Sequence, residues 1–373
     1  MFTEKIVSRQ LFYLLFIMRV TIVISVLPVL TAGEALQDAW IAGAVSFIPS
    51  AAIVTLIGAL TIAFPGKSLV QYSQELLGSI AGKFISLIYL GIFLFMAGTD
   101  LRIYAEVLKT GFLPETPISV IMALVVFVAV LVIFGGLEVL GRTADIIFPI
   151  FLLMILGSLF FPLIHADFQN IQPVIARGWS PLFLAIVAPT SVTAQYANLT
   201  MLAPSLDEQH KTLKVALWSL LAATFVLVCF AVVVVLVLGP DVGSRAAFPV
   251  FKMIRATRIS EFLERVEIIT IFAWGLGLFI ALSVNLYSGS KGLSQVFGLQ
   301  DNRPLILPMA VIWVVFGIQG YRDFFEVAQV FDPAFFDPIF ITALLFPMLV
   351  LWTAYLYKRP WKKQPRGTTQ NKG

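Results

Sequence analysis

Long apolar runs, separated by short polar or Gly/Pro-rich segments, dominate the chain. Most of these runs hold about 20 residues, the length that a helix needs to cross the hydrocarbon core of a bilayer. They predict spans one to ten at residues 11–32, 40–64, 84–107, 118–134, 145–163, 181–203, 215–238, 266–288, 305–317 and 337–357. The pattern therefore predicts an all-α integral membrane protein. Residues 1–357 would form a single ten-helix transmembrane domain, followed by a basic tail at residues 358–373.

Composition supports this interpretation and excludes several other classes. Of the 373 residues, 59% are hydrophobic and 12% charged, whereas about a quarter of the residues of a soluble domain are charged. Two His and one Cys are too few for a disulfide scaffold or a Cys/His zinc site. The sequence shows no set of nucleophile and base and no metal-ligand cluster. We therefore expect no enzyme activity and no cofactor.

Basic residues are distributed unequally between the two sides of the predicted bundle. Fifteen Lys and Arg lie on the side of the termini, eight on the opposite side and two inside spans. Basic residues concentrate on the cytoplasmic side of membrane proteins, so both termini are predicted to be cytoplasmic. The net charge of +4 forms no basic patch among aromatic residues, and no nucleic-acid partner is expected.

Two connections have the pattern of amphipathic helices lying along the membrane. Residues 67–83 place apolar residues among Gln, Ser and Glu on the predicted cytoplasmic side. Residues 248–263, on the predicted outer side, place Lys252, Arg255 and Arg258 three apart on one helical face. This basic face could contact lipid headgroups or an acidic partner surface.

Spans one and six contain features that interrupt helices. Span one includes Arg19, Thr21, Ser25 and Pro28, and span six includes Pro189 within a polar stretch. They are the first members of two five-span halves, residues 1–163 and 181–357, which predicts an inverted repeat with a midplane site at two broken helices. The alternative is a structural one, since proline kinks and Ser/Thr bonding to the same helix are common in membrane spans.

Ionisable residues inside spans are costly and therefore need a reason. Arg19 lies about two turns into span one, with no opposite charge within a turn. It could hold a substrate carboxylate, occupy the position of a coupling cation, or pair with a carboxylate of another span. Arg102 and Glu106 are four apart and predict an ion pair within their own span. A structural role is also predicted for Asp145, near Arg142.

Several stretches carry a resemblance to a known family: KIVSRQ (5–10), DAWI (38–41), FPGKSLVQY (64–72), FLPETP (112–117), GLEVLGRTADIIFP (136–149), FLERVE (262–267) and NRP (302–304). The chain resembles the B subunits of GerA-type spore germinant receptors, in the amino acid–polyamine–organocation transporter superfamily. It departs from the family pattern near Val20, where a glycine is usual, and at residues 192–195, where Phe-Gly-Glu is usual.

The resemblance implies a ten-helix fold of the leucine-transporter type, with a five-plus-five inverted repeat and broken helices one and six. It also implies a sensor of small nutrients, typically amino acids, in the spore inner membrane, with the receptor A and C subunits and membrane lipids as partners. A site between spans one, three, six and eight would then include Arg19, Thr21, Ser25, Gly98, Thr99, Pro189, Thr190, Ser191, Thr193, Ser283 and Asn285. The competing hypothesis is a proton-coupled transporter of amino acids or amines that acts alone.

Overall fold

Helices account for the regular secondary structure of the computed structural model, which describes residues 4–25, 35–175, 177–246, 248–256, 267–322, 326 and 336–358. Each predicted span coincides with helix in this part of the chain. The spans comprise, in order, Ser8–Ser25; Ala39–Val45 with Phe47–Ala63; Ser79–Gly111; Ile118–Phe134; Leu137–Phe160; Trp179–Ala185, Val187–Ser191 and Leu199–Leu202; Thr212–Leu238; Glu267–Phe297; Arg303–Gln319; and Phe336–Lys358.

Burial separates central from peripheral spans. Among the described residues, seven helical segments are long and apolar enough to cross a membrane, and spans four and nine are shorter apolar helices. In their most apolar stretches, span six is 78% buried and span eight 67%, whereas span five is 28% and span ten 22% buried. Spans six and eight are therefore surrounded by protein. The outward apolar faces of spans five and ten suit contact with lipid.

The described part of span one is a buried, regular helix. It packs against spans five, seven and eight, and Ile17, Met18 and Val20 are fully buried. The helix is continuous over Ser8–Ser25, and Pro28, the residue predicted to interrupt it, lies outside the described residues. Arg19 therefore stands in regular helix.

Span six is irregular in its middle. The short helix Val187–Ser191 is followed by a 3₁₀ segment, Val192–Asn198, before α-helix resumes at Leu199. Pro189 has no backbone N–H to donate to the preceding turn, and seven residues form a long 3₁₀ run, since most end after three or four. The predicted interruption of span six is confirmed.

Both predicted amphipathic connections contain helix. Leu69–Leu77 begins with a reciprocal cap between Ser68 and Gln71 and buries its apolar face. On the other side of the bundle, Pro249–Ala256 buries Val250, Met253 and Ile254. Arg258, predicted to extend its basic face, lies outside the described residues.

The predicted ion pairs are in part confirmed and in part corrected. Arg102 Nη2 bonds Glu106 Oε1 at 2.6 Å, with both side chains largely buried. Asp145 pairs instead with Arg9 at the start of span one, at 3.0 Å, while Arg142 bonds Glu138 on its own helix. The helical spacing of Glu138 and Arg142 favours the local pair. Asp145 is thereby free to join spans one and five.

Short polar links hold the ends of spans together. Before span one, Ile6 pairs with the segment after span six, donating to Ser205 O at 2.9 Å and accepting from Asp207 N at 3.1 Å. On the opposite face, both carboxylate oxygens of Asp38 accept from Ile175 N at 3.0 Å. The division into repeats at residues 1–163 and 181–357, and the tail at 358–373, stay predictions.

Candidate ligand-binding site

A cation is buried where span one meets span six. Arg19 is 2% exposed, and its Nη2 donates a 2.6 Å hydrogen bond to the carbonyl oxygen of Pro189. Among the described residues Nη1 has no hydrogen-bond partner. The ion pair with a carboxylate of another span, one of the three predicted roles, is not formed in this part of the chain. A neutral carbonyl leaves the guanidinium charge uncompensated, which is costly at this depth.

The irregular segment of span six contributes two amides. Asn198 Nδ2 donates to Asn285 Oδ1 of span eight at 3.0 Å and to Gln195 O at 3.1 Å, and it lies 4.0 Å from Met18 Sδ of span one. Asn198 Oδ1 and both amide atoms of Gln195 lack partners among the described residues. Buried polar atoms are usually hydrogen-bonded, so these open atoms require an explanation.

The predicted hydroxyls of span six are, by contrast, already bonded. Thr190 donates to Ile186 O and Ser191 to Ala188 O, each at 2.8 Å on its own helix. Thr193 donates to Ser50 Oγ of span two at 2.9 Å and lies 3.3 Å from Pro189 O. These side chains fix the shape of the bend. Their capacity to accept further bonds remains, since a hydroxyl oxygen carries two lone pairs.

Spans one and eight supply the remaining predicted residues of this region. Thr21 Oγ1 donates to Ile17 O at 2.7 Å and packs against Gly277, where a Cβ would come within 2.2 Å of it. Ser25 is the last described residue of span one, and its side chain is not part of the described structure. Asn285 reaches Asn198, but Ser283 stands about 200° away around the same helix, and its hydroxyl has no partner among the described residues.

Span three directs its predicted residues toward span nine. A Cβ on Gly98 would lie 2.5 Å from Phe316 Cδ1. Thr99 Oγ1 bonds the hydroxyl of Tyr321, just after span nine, at 2.6 Å. The structure thus brings Arg19, Pro189 and the span-six segment together, while the described contacts of Gly98 and Thr99 lie on another side of span three.

In this conformation the cluster is closed. Gln195, Asn198, Ser283 and Asn285 are at most 1% exposed, so these side chains are shielded from solvent. The cluster offers one uncompensated cation together with amide donors and acceptors. Such a set can bind a small polar molecule that carries an anionic group. It contains no paired nucleophile and base.

Gln195 and Asn198 are the residues that the predicted site omits. Both are visible in the sequence as polar residues after Pro189, and Gln195 stands where the sequence departs from the family pattern. Their three-residue spacing puts them near one face of any helix, and the 3₁₀ geometry of the segment brings positions i and i+3 directly into line.

Comparison with known proteins identifies the family. Residues 5–324 match the family described as "Spore germination protein". The chain belongs to this family. Spore germination protein KB of Bacillus subtilis (strain 168) is 26% identical over 371 residues, which cover 97% of this chain and 96% of the relative. Spore germination protein A2 of the same organism is 23% identical over 300 residues, covering 78% and 79%. These relatives place the chain among germination proteins rather than enzymes.

Solved structures show the same fold. Mhp1, a nucleobase-cation-symport-1 family transporter in a closed conformation with bromovinylhydantoin bound, superposes with a TM-score of 0.72 at 12% identity, covering 96% of this chain and 80% of Mhp1. MhsT in complex with L-phenylalanine gives 0.68 at 14% identity, covering 94% and 99%. The chain is thus a multi-pass membrane protein with the leucine-transporter fold, as the sequence predicts.

Proposed function

We propose that this chain is the nutrient-sensing subunit of a spore germination receptor, and that its ligand binds where spans one, six and eight meet, with span three alongside. Family membership supports the role in germination. The observation that carries the location is the group of open buried polar atoms formed by Arg19 Nη1, Asn198 Oδ1 and the Gln195 amide. Leaving such atoms unpaired costs about 1–3 kcal/mol each, and more for a charged group.

The chemistry of these atoms favours an amino acid or a similar small molecule. Arg19 Nη1 is a charged donor suited to a carboxylate. Gln195 Oε1 and Asn198 Oδ1 can then accept from an amino group, and Gln195 Nε2 can donate to a further polar atom. Because the cluster is closed, the ligand would enter by separating span six from span one. Thr190, Ser191 and Thr193 would shape the wall that moves.

Sensing would follow from a shift between two arrangements of the helices. A ligand that binds the separated arrangement more tightly than the closed one raises the population of the separated arrangement. The size of the shift is set by the difference between the two affinities. We infer that the receptor A and C subunits detect this change. In this proposal the chain lies in the spore inner membrane among its lipids, with both termini in the cytoplasm and the opposite face receiving the nutrient.

The test is a binding screen of the receptor complex against labelled amino acids, sugars and nucleosides. We expect one class to bind, and Gln195→Leu to weaken its binding by about tenfold or more, the effect of losing a hydrogen bond of about 1.4 kcal/mol. Thr61→Val is the matched control, because Thr61 is a buried hydroxyl bonded to Ile57 O on span two. Unchanged binding by a folded Gln195→Leu receptor would place the pocket elsewhere.

Transport is the alternative outcome, since this fold serves both roles and cannot decide between them. Vesicles that contain only this chain should bind the nutrient without accumulating it. Accumulation against a gradient, driven by protons, would replace the sensor with a transporter. Neighbouring genes for A and C subunits would favour the receptor.

A further inference from the structure

An open cavity lies on the opposite face of the bundle from Ile6 and Lys358. It is a cavity of about 380 Å³ between the end of span three and the helix Pro249–Ala256. Its apolar wall includes Phe112, Phe251 and Ile271. The cavity shares no lining residue with the candidate site on span six, so it is a separate feature of the molecule.

Three cations converge on this cavity. Arg245 ends the helix Pro240–Arg245, while Lys252 and Arg255 lie three apart on Pro249–Ala256. The described lining contains no Asp or Glu. None of the three cations forms an ion pair with a carboxylate of the described residues. The ion pairs formed by other described Arg and Lys residues all lie elsewhere in the protein.

The backbone under the cations is held by aromatic packing. Phe251 lies 5.2 Å from Trp274 of span eight, and Trp274 packs edge-on against Tyr104 of span three at 5.0 Å. Val250 and Met253 are fully buried. The helix that carries Lys252 and Arg255 is thus fixed against spans seven and eight, and both cations line the cavity.

The described residues around the cavity carry a net positive charge. The C-terminal end of span three, at Gly111, contributes about half a negative charge, and Arg255 lies beside it, with Nη2 3.5 Å from where a Gly111 Cβ would stand. Arg245, Lys252 and Arg255 carry three full positive charges, so positive charge clearly exceeds this partial negative charge. If the termini are cytoplasmic, these cations also oppose the usual depletion of Lys and Arg on the outer side. A functional role for the cluster would explain their presence there.

We propose that this cavity binds a phosphate-bearing anion. Two guanidinium groups can each donate paired hydrogen bonds to phosphate oxygens, and the ammonium adds a compact charge. The apolar wall of Phe112, Phe251 and Ile271 accommodates the organic part of the ligand. A phospholipid headgroup and a free phosphate compound present the same chemistry, and the experiment separates them. This proposal does not depend on the nutrient site.

The test uses the purified full chain in neutral detergent, titrated with inorganic phosphate and with a water-soluble short-chain phosphatidylglycerol. The variant Arg245→Gln/Lys252→Gln/Arg255→Gln should bind about tenfold more weakly. The matched control, Lys109→Gln/Arg177→Gln/Arg322→Gln, removes the same charge from residues outside the lining and should bind as the parent chain does. Binding should also weaken in about 1 M salt, where the Debye length is about 3 Å.

Each outcome is decisive. Binding of phosphatidylglycerol but not of inorganic phosphate assigns the site to a lipid headgroup, and binding of both assigns it to a free phosphate compound. Equal binding by the two triple variants, or no binding of either probe to the parent chain, overturns the proposal. If the first triple variant does not fold, Lys252→Gln and Arg255→Gln are measured singly, and each should weaken binding relative to Lys109→Gln.

Discussion

Arg19 Nη2 and the carbonyl oxygen of Pro189 are 2.6 Å apart, which joins the middle of span one to the bend of span six. The contact leaves Nη1 open on the same guanidinium. One side chain therefore both holds the two spans together and offers a charged donor beside the irregular segment. A ligand carboxylate that binds Nη1 would alter the contact that links the spans, which connects occupancy to helix position.

Replacing Arg19 is expected to remove nutrient binding more than it harms the fold. Arg19→Leu deletes a charge-assisted bond of about 1.5–3 kcal/mol, so affinity should fall by roughly ten- to more than a hundredfold. The Pro189 carbonyl oxygen would keep a hydrogen-bond donor in this variant, because Thr193 Oγ1 lies 3.3 Å from it. Arg19→Lys should retain part of the affinity, since it keeps the charge without the planar fork. The measurement is equilibrium binding of the nutrient identified in the screen.

Arg9→Leu is the control for this substitution, because Arg9 is an exposed cation on the same helix that pairs with Asp145. It should leave nutrient affinity unchanged. Should Arg19→Leu bind the nutrient as tightly as the parent chain, the open guanidinium nitrogen has no part in the pocket.

The spans could be predicted from hydropathy because lipid-facing and buried positions are both apolar, so each span appears as a run. Span four was predicted with its observed bounds, Ile118–Phe134. Span eight was predicted to end at 288 but continues to Phe297. Its last turns contain Ser290 and Ser294, whose hydroxyls bond carbonyls of their own helix. A hydropathy average counts these serines as polar and does not include the hydrogen bonds that satisfy their hydroxyls.

The site was less predictable, because it depends on which polar atoms remain open. Thr190 and Gln195 are both polar residues of span six, but Thr190 bonds its own helix and Gln195 does not. The distinction depends on which partners lie within reach of each side chain after folding, which the sequence does not specify. Likewise, Asp145 and Arg9 are 136 residues apart, so their pairing requires knowledge of how spans one and five pack.

The Asn198–Asn285 hydrogen bond should couple spans six and eight in stability. Asn198→Leu leaves Asn285 Oδ1 without its donor, and losing a partner of a buried polar group costs about 1–3 kcal/mol. Asn285→Leu should cost a similar amount. The double variant should lose less than the two single losses combined, because no unpaired partner remains. A double-mutant cycle from unfolding of the ligand-free chain measures this coupling, and strict additivity would contradict it.

Gly98 should be required for packing between spans three and nine. In Gly98→Ala the new Cβ would come 2.5 Å from Phe316 Cδ1, and overpacking of this kind costs about 1–3 kcal/mol. Gly91→Ala is the matched control on the same helix, since nothing lies within 4 Å of its Cβ position. It should be neutral or stabilising, as Ala is the better helix former by about 1 kcal/mol. Thermal unfolding compares the stability of the two variants. Adding Phe316→Leu to Gly98→Ala should restore stability. Equal effects of the two glycine substitutions would contradict the close packing of Gly98 against Phe316.

Arg102 and Arg142 provide a comparison of one ion-pair spacing at two depths. Arg102 bonds Glu106 and also donates to Gly317 O at 2.7 Å and Tyr321 O at 3.1 Å, fixing the end of span nine. Arg142 bonds Glu138 with the same spacing, but its side chain is 72% exposed, against 6% for Arg102. Burial should therefore decide the cost of removing each cation.

Arg102→Met should destabilise the chain by about 3–5 kcal/mol, because it leaves the Glu106 carboxylate buried without a partner. Arg142→Met should cost about 0.5 kcal/mol or less, the usual range for an exposed pair on a helix. Adding Glu106→Gln to Arg102→Met should recover part of the loss, since it removes the uncompensated charge. Unfolding midpoints in detergent measure all three variants. Equal losses for Arg102→Met and Arg142→Met would show that the buried pair does not hold span nine.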